Sequence, residues 1–438
     1  MIYIHTLSDG LGSFVFITYT DPSIPEMEPS KLLGSLPPTS SLERMDRVLP
    51  IRRPDKGGTN AIQSTMVRVN HFPVKFNSEK IILHYDVDIK PEVLPKHGRT
   101  LKLSKSNRCM IKEKLFSDDP SRFPLSRTAF DGEKNIFSVV ELPTGKFKVE
   151  FSESEDMKIC SYIFTIKLVN QLELRKLKDY LSGKLFSIPR EILQGMDVVM
   201  KENPARHMIS VGRSFYPTLF SLDDDLGHGI VASRGFLHSL KPTAQGLTLC
   251  LDYSVLAFRK PIPVIDFLEE HVNGFKLNDL RRVRKEVEVA LKGLKVRVIH
   301  RLCKQKYTIS GLSGEDTRYL SFIAEDLEGK SPAKKVGIID YFREKYGKDI
   351  KYKDIPCLDL GKNNRKNYVP MEFCILTEGQ RFLKENLDRN GAQKLKNLSL
   401  VAPKVRENNI CEMVRSKTGP CGYVIMRRKF CFNIIVVF

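Results

Sequence analysis

The sequence LKVRVIHRLCKQKYTISGL at residues 294–312 opens the stretch that decides how this chain folds. Three further segments complete it: TRYLSFIAED at 317–326, VGIIDYFREKYG at 336–347 and IPCLDLGKNNRKNYVPMEFCILTEGQRF at 355–382. Short runs that alternate apolar and basic residues predict β-strands, whereas the third segment is typical of a helix. Tyrosines and phenylalanines lie among the lysines and arginines, a combination that suits an unstacked nucleotide and its phosphate. The stretch therefore predicts a domain that binds single-stranded nucleic acid.

The charge of the whole chain favours the same class of partner. Its 438 residues carry a formal net charge of +19, and the basic excess extends from Arg52 to Lys429. Such a chain is expected to bind a polyanion, and nucleic acid is favoured over a membrane because no basic amphipathic helix has a wide apolar face. With 41% hydrophobic residues, the length predicts about two or three globular domains.

The cysteines and the two termini indicate the cellular compartment in which the chain is expected. The nine cysteines are widely spaced and form no C-x-x-C pair, so neither a disulfide framework nor a zinc site is predicted, and no cofactor is expected. The apolar run at 14–17 lacks a preceding basic region, and CFNIIVVF at 431–438 is far shorter than a bilayer span. We therefore expect reduced thiols, a cytoplasmic location with the nucleus as a second one, and no membrane partner.

Residues 1–63 and 64–198 differ in character. The first segment is rich in proline and serine, which predicts a disordered lead-in without a core of its own. In the second segment, MVRVNHFPVKF at 66–76 and IILHYDVDI at 81–89 alternate apolar and polar residues around a short polar break, which predicts a β-hairpin. Further predicted elements make this segment an α+β domain, namely strands at 135–142, 146–151 and 160–169 and a helix at 171–182.

Residues 199–260 are predicted to form a sheet-containing linker. Apolar and polar residues alternate toward its end, and glycines fall where turns or bulges are expected. A helix at 261–272 opens after two prolines, and Asn278 and Asp279 are good caps for a second helix. One face of the second helix is basic, and it is either solvated or in contact with phosphate; its residues are Arg281, Arg282, Arg284 and Lys285.

Taken in order, these segments resemble the Argonaute family, in its plant type. The four segments of 294–382 and the helix before them are similar to a PAZ domain, MVRVNHFPVKF is similar to the start of the N domain, and 211–268 is similar to the first linker. The resemblance implies an α+β multidomain fold with an α+β N domain (64–198), a sheet-containing linker 1 (199–260) and a PAZ domain (261–382). The PAZ domain is expected to be an OB-like β-barrel with an αβ insertion that forms a flap.

A PAZ domain implies a site for the 3′ end of a guide RNA, in the cleft between the barrel and the flap. By this resemblance, Phe322 and Tyr341 form the aromatic wall of the cleft, and Val369 lines its floor. Positions that hold the terminal phosphate or sugar match His300, Tyr307, Tyr346 and Tyr368, and Lys306 adds positive charge beside them. An aromatic side chain can stack a base for about 1–3 kcal/mol without reading its identity, as a carrier of many guides requires.

No catalysis is predicted. Cleavage in this family needs metal-binding carboxylates in a further domain, whereas residues 383–438 are expected to hold the start of linker 2 and an atypical truncated tail, without MID and PIWI domains. The acidic cluster at 223–225 is expected to be a solvated loop. We therefore predict a monomeric, non-catalytic protein of RNA silencing that binds the 3′ end of a single-stranded siRNA or miRNA. Two alternatives stay open: a scaffold or decoy fragment that contacts silencing-complex proteins, and a fragment of a guide-directed RNA endonuclease.

Overall fold

The computed structural model describes residues 2–9, 12–19, 63–93, 103–152, 160–243, 245–302, 305–324, 334–361, 366–420 and 434–436. These residues form a mixed fold of helices and several separate sheets, which confirms the predicted α+β class. Within these ranges, no helix is both long enough and apolar enough to cross a membrane.

The first three strands form an antiparallel sheet in the order β1 (Ile2–Asp9), β2 (Gly12–Tyr19) and β3 (Gln63–Arg68). Strands β1 and β2 lie within 1–63, so the predicted disordered lead-in does not hold for these two stretches. The prediction rested on the proline and serine content of the whole segment. Both stretches lack proline and are rich in β-branched and aromatic residues, which favour strands.

Between residues 71 and 207, the described part of the chain forms six strands and three α-helices: β4 (His71–Phe76), β5 (Ile81–Pro91), α1 (Lys105–Asp118), β6 (Thr128–Phe130), β7 (Asn135–Ser138), β8 (Gly145–Phe151), β9 (Cys160–Glu173), α2 (Leu174–Leu181) and α3 (Arg190–His207). Five strands pair in the order β6-β7-β5-β9-β8. Helix α1 packs on this sheet, because Ile111 and Phe116 share a core with Tyr85 and Phe164. That helix was not predicted, since KSNRCMIKEKLFSD has little apolar periodicity.

The linker region supplies five strands: β10 (Ile209–Val211), β11 (Ser214–Tyr216), β12 (Asp225–Gly227), β13 (Ile230–Thr243) and β14 (Gly246–Arg259). Strands β13 and β14 form a long hairpin that runs from Thr243 opposite Gly246 to Ile230 opposite Arg259. Strands β11 and β12 pair with β13, and β4 pairs with β14. A strand from the preceding region is therefore part of the linker sheet.

The hairpin predicted over 66–89 is not formed. Strand β4 pairs with β14, where Phe72 lies opposite Leu249, whereas β5 pairs with β7 and β9 in the other sheet. The apolar alternation identified both strands correctly, but each finds its partners far along the chain. Alternation specifies the buried face of a strand and does not specify its neighbour.

The described residues of the region around 261–382 form three α-helices and eight strands: α4 (Val264–His271), α5 (Arg284–Leu291), β15 (Lys295–Val298), β16 (Tyr307–Thr308), β17 (Gly311–Asp316), β18 (Ser321–Ala324), β19 (Lys334–Gly337), α6 (Ile338–Tyr346), β20 (Pro356–Asp359), β21 (Tyr368–Val369) and β22 (Cys374–Leu376). They form two three-stranded sheets, β16-β15-β22 and β17-β20-β21, and the hairpin β18-β19. A single core joins both sheets to the three helices. In the described residues the predicted barrel is not closed, because its strands are short and their ladders stay separate.

The helix predicted to be capped by Asn278 and Asp279 begins later than expected. Residues Leu277–Val283 form a 3-10 helix in which Asp279 has a non-helical backbone, with φ −134° and ψ 34°. Helix α5 begins only at Arg284. The interruption divides the basic face, so that Arg281 and Arg284 lie on different elements.

Two further helices and one strand follow: α7 (Arg389–Ser399), α8 (Pro403–Arg415) and β23 (Ile434–Val436). Leu395 of α7 and Val414 of α8 are buried against the residues of the linker sheet. Strand β23 pairs antiparallel with β4, with Ile434 opposite Phe76. It completes a seven-stranded sheet in the order β10-β11-β13-β14-β4-β23, with β12 paired to β13.

The acidic cluster at 223–225 is not simply the predicted solvated loop, because two of its three carboxylates have basic partners. Asp223 is exposed, but Asp224 is buried and accepts a hydrogen bond from Arg234 Nη2 at 2.6 Å. Asp225 pairs with Lys260 Nζ at 2.9 Å. These two ion pairs connect the segment before β13 to the sheet and stabilise its position.

Gly235 on β13 lies where the sheet leaves no room for a side chain. A Cβ at this position would lie 2.1 Å from the carbonyl oxygen of Phe215 and 2.6 Å from the ring of Tyr216. Tyr216 is fully buried, and its hydroxyl is 2.7 Å from Ser254 Oγ, so the ring has no space to retreat. We expect Gly235→Ala to lower the free energy of unfolding in urea by about 1–3 kcal/mol.

The matched control is Gly314→Ala, because a Cβ at Gly314 meets nothing within 4 Å. Its free energy of unfolding should stay within about 0.5 kcal/mol of the unmodified chain. Equal destabilisation by the two substitutions would contradict the packing argument.

Candidate nucleic-acid interface

Phe322 is positioned by the hairpin β18-β19, where it lies opposite Val336. Side chains alternate along β18, and Phe322 is half-buried against the core while Ser321 and Ile323 on either side are exposed. The hairpin leads directly into α6, and the amide of Ile338 donates to the carbonyl just before β18, at 2.9 Å. This short connection brings Phe322 next to the helix.

Helix α6 directs the adjacent rings of Tyr341 and Phe342 to different faces. Phe342 is 3% exposed and stacks on Phe373, with 5.4 Å between ring centroids and 5° between ring planes. Tyr341 points about 100° away around the helix and is half-buried. The helix ends at Gly347 in the left-handed conformation, with φ 60°. Of the two adjacent rings, Tyr341 is the one that a ligand can reach.

Four rings then form a continuous row. Phe322 and Tyr341 meet edge to face, with centroids 4.8 Å apart and planes at 85°. Tyr346 lies 5.7 Å from Tyr341, and His300 lies 4.7 Å from Tyr346. We call Phe322, Tyr341, Tyr346 and His300 the ring cluster. His300 is its inner end, 8% exposed and 4.9 Å from the Phe342 ring, whereas the other three are half-buried.

Tyr346 remains a hydrogen-bond donor at neutral pH. Burial is the main reason why the pKa of Tyr346 is raised to about 12, and a hydrogen bond to Tyr341 and the proximity of the Tyr341 hydroxyl add to it. The charges of Lys345 and Arg301 act in the opposite direction. The hydroxyl has one proton, so it can donate to a phosphate or sugar oxygen in place of its bond to Tyr341.

Lys345 places a positive charge on the outer side of the ring cluster. Its Nζ donates to the hydroxyl of Tyr341 at 3.1 Å and lies 5.3 and 5.7 Å from the ring centroids of Tyr341 and Tyr346. This geometry is a cation–π contact. Lys345 was not predicted from the sequence, although its spacing of four residues from Tyr341 on a predicted helix puts the two side chains on one face.

Arg301 joins Tyr307 to the ring cluster. Tyr307 lies on β16, is 7% exposed, and accepts a hydrogen bond from Arg301 Nη2 at 2.9 Å. The Arg301 guanidinium also lies near Tyr346. Its positive charge lowers the pKa of the Tyr346 hydroxyl, whereas burial raises that pKa. Arg301 was not predicted from the sequence either, although it directly follows His300.

Lys306 is engaged in an ion pair. Its Nζ lies 2.6 Å from Glu378 Oε1, and both side chains are partly exposed. Burial alone would raise the pKa of Glu378. Its hydrogen bonds, above all the one from Lys306, and the charges of Lys306 and Arg297 outweigh burial, so the pKa is lowered. The positive charge predicted for Lys306 is therefore largely compensated by a carboxylate.

Tyr368 and Val369 lie on β21, in the second of the two sheets. Val369 is 6% exposed and lies opposite Leu358, and Tyr368 is half-buried opposite Asp359. Both pack on the core that also holds the ring cluster. Among the described residues, no ring contact joins Tyr368 to the cluster. The structure thus joins five of the predicted site residues, His300, Tyr307, Phe322, Tyr341 and Tyr346, and leaves Lys306, Tyr368 and Val369 at its periphery.

The described part of the chain contains no group of three or more His, Cys, Asp or Glu that could hold a metal ion. The candidate site instead contains aromatic ring faces, hydroxyl donors and two cationic side chains, Lys345 and Arg301. These groups suit base stacking and phosphate contacts.

Three family models match the chain. They are the N-terminal domain of argonaute at 63–200, the Argonaute linker 1 domain at 210–260 and the PAZ domain at 265–396. The chain is therefore a PAZ-domain protein. It belongs to the Argonaute family, of which it carries the N-terminal, linker 1 and PAZ domains, and this confirms the resemblance stated from the sequence.

The relatives are plant Argonautes. Protein argonaute 2 of Oryza sativa subsp. japonica is 35% identical over 387 residues, which are 88% of this chain and 36% of that protein. Protein argonaute 7 of Arabidopsis thaliana is 33% identical over 397 residues, which are 84% of this chain and 38% of that protein. The chain therefore spans about a third of the length of these relatives.

Solved structures of the same family are also similar. Kluyveromyces polysporus Argonaute with a guide RNA is 16% identical with a TM-score of 0.47, and the match covers 94% of this chain and 43% of that one. The Drosophila Argonaute 2 PAZ domain, solved for its 3′ end recognition of nucleic acids, is 25% identical with a TM-score of 0.23, and the match covers 27% of this chain and 97% of that one.

Proposed function

We propose that this protein binds a small single-stranded RNA and holds its 3′ end at the ring cluster, without cutting it. The observation that carries the proposal is the convergence of Phe322 and Tyr341, from two separate segments, at 4.8 Å beside the Lys345 ammonium. The chain's net charge of +19 supports a polyanionic partner. Membership of the Argonaute family agrees with a role in RNA silencing.

The proposed binding relies on stacking and charge. Because Phe322 and Tyr341 meet at 85°, they cannot clamp a base between parallel faces, so a terminal base stacks on one exposed ring face. Such stacking contributes about 1–3 kcal/mol and is tolerant of sequence. Lys345 then contacts a phosphate oxygen, and the hydroxyl of Tyr346 donates to the phosphate or sugar. No group in this arrangement reads a base edge, so many different guides are accepted.

A comparison of linear and circular RNA tests this function. A labelled single-stranded RNA and the same sequence closed into a circle carry nearly the same charge, but only the linear form has a 3′ end. We expect the full chain to bind the linear RNA at least about tenfold more tightly, since one stacked base accounts for that factor. Fluorescence anisotropy at one fixed salt concentration measures both affinities.

Two other outcomes would overturn the proposal. Equal affinity for both forms leaves only diffuse attraction between a basic protein and RNA. Absence of binding to either form favours a scaffold that contacts silencing proteins.

The absence of cleavage is the second part of the proposal. Its support is that the matched family models describe the N-terminal, linker 1 and PAZ domains. The purified chain, incubated with a guide RNA, a complementary target and magnesium, should leave the target intact on a denaturing gel. A cut at a defined position would show that the chain is a nuclease.

A further inference from the structure

A second feature of residues 261–382 suits a nucleotide, and none of the ring-cluster residues lines it. An open depression of about 580 Å³ is lined by Arg281, Arg284, Gly314, Glu315, Asp316 and Tyr319. It combines an exposed aromatic ring with two guanidinium groups and two carboxylates. From the sequence alone, the basic face that includes these arginines either contacts phosphate or is solvated.

The floor of the depression is a bulge in β17. The register between β17 and β20 shifts between Leu312 and Asp316, and Ser313 at the bulge is fully buried. The Ser313 hydroxyl accepts a hydrogen bond from the amide of Cys357 at 2.9 Å, which fixes the shape of the bulge. Gly314 and Glu315 are therefore turned outward and exposed. A ligand can approach the backbone closely at Gly314, because no atom lies within 4 Å of where its Cβ would be.

The ring of Tyr319 is an exposed wall of the depression. Tyr319 is 64% exposed, and the guanidinium of Arg318 lies 6.0 Å from its ring centroid. A large aromatic side chain this exposed contributes little to the core. Its free face is available for stacking with a base, which any base can do because each has a π-face.

The two arginines of the depression have different tasks. Arg281 pairs with the buried carboxylate of Asp316 at 2.5 Å, so these two charges compensate each other. Arg284 instead donates from Nη2 to the carbonyl oxygen of Ser313 at 2.6 Å, and a carbonyl carries no net charge. A guanidinium has five N–H donors. Among the described residues, no other partner of Arg284 is found, so its charge and remaining donors are available to a phosphate.

We propose that this depression is a second RNA contact, in which Tyr319 stacks a base and Arg284 holds the adjoining phosphate. The proposal deepens the proposed function and rests on it, because it places further nucleotides of the same strand. Tyr319 and Phe322 are three residues apart, so their Cα atoms are within about 11 Å. Stacked nucleotides advance about 3.4 Å each. A strand that ends at Phe322 therefore reaches Tyr319 within about three nucleotides of its 3′ end.

RNA length separates the two contacts. In competition against a labelled RNA, an unlabelled dinucleotide fills only the ring cluster, whereas a longer strand with the same 3′ end fills both. We expect Tyr319→Ala to weaken binding of the longer strand about five- to tenfold, within the range of one lost base stack, and to leave dinucleotide binding unchanged. We expect Arg284→Ala to reduce the slope of log affinity against log salt by about 0.7, the share of one phosphate.

Controls and a conservative variant make the test decisive. Tyr319→Phe keeps the stacking face and should bind like the unmodified chain. Tyr352→Ala removes another partly exposed tyrosine of the same domain, and Arg175→Ala removes an exposed arginine outside it. Neither should distinguish the two RNA lengths.

The outcomes also separate this inference from the function on which it rests. If Tyr319→Ala binds the longer strand normally while Phe322→Ala weakens both lengths, the second contact is wrong and the 3′-end function stands. If Tyr319→Ala weakens the longer strand while Phe322→Ala has no effect, the depression binds RNA and the ring cluster does not.

Discussion

Replacing both Phe322 and Tyr341 with alanine should weaken binding of a linear small RNA by roughly 30- to 150-fold, or about 2–3 kcal/mol. The two rings meet at 4.8 Å and form the outer end of the ring cluster. Their removal eliminates the stacking face and also the hydroxyl that holds Lys345 at 3.1 Å. Anisotropy titrations of the same labelled RNA, at one salt concentration, give both dissociation constants.

This double variant should remain folded, because the core of α6 depends on the neighbouring ring. Phe342 is the residue that stacks on Phe373 and contacts His300, and Tyr341 is only half-buried. A melting temperature close to that of the unmodified chain checks this point. The control Phe186→Ala removes an exposed ring outside the PAZ domain and should bind RNA normally. An unchanged affinity of the double variant would remove the basis of the 3′-end function.

The sequence predicted strands and family better than it predicted strand pairing. Alternation located β4 and β5 within a few residues, but the expected hairpin between them does not exist, since β4 pairs with β14. The β-strand pattern records which face is buried, and that face looks the same whichever strand lies alongside. Helix α1 was not predicted, because its sequence shows little apolar periodicity. It is held by a few buried residues, including the charged Lys112, whose presence conceals the apolar period.

In the candidate site, the aromatic residues were predictable and their cationic partners were not. Family resemblance gave Phe322, Tyr341, Tyr346 and His300, which the structure brings into one row. Lys345 and Arg301 were missed because a basic residue in a chain this rich in lysine and arginine carries little information by itself. Lys306 shows the reverse case, since its predicted charge is compensated by Glu378, a residue 72 positions away. Only the fold determines which charges remain available.

Lowering the pH from 7 to 5 should remove about 2 kcal/mol of stability through His238 alone. His238 on β13 is fully buried and lies parallel to Phe215 at 5.6 Å. Among the described residues, neither of its ring nitrogens has a hydrogen-bond partner. Burial, and to a lesser extent the charge of Lys201, lowers the pKa of His238 to about 4, although Asp197 opposes the shift.

The sign of the effect follows from where the proton binds. Between about pH 6.5 and pH 4 the unfolded chain takes up a proton on this histidine and the folded chain does not, so stability is complete above pH 6.5 and falls as the pH drops toward 4. Urea unfolding at pH 7 and pH 5 measures the loss.

His238→Phe keeps a flat ring and cannot bind a proton, so its stability should change far less between the two pH values. A smaller slope should remain, because burial and the nearby Lys241 also lower the pKa of His71. The exposed residue His228, which has a φ of 54°, provides the control. Asparagine tolerates that conformation, and His228→Asn should keep the full loss of about 2 kcal/mol. The same pH dependence in His238→Phe as in the unmodified chain would exclude His238 as the source.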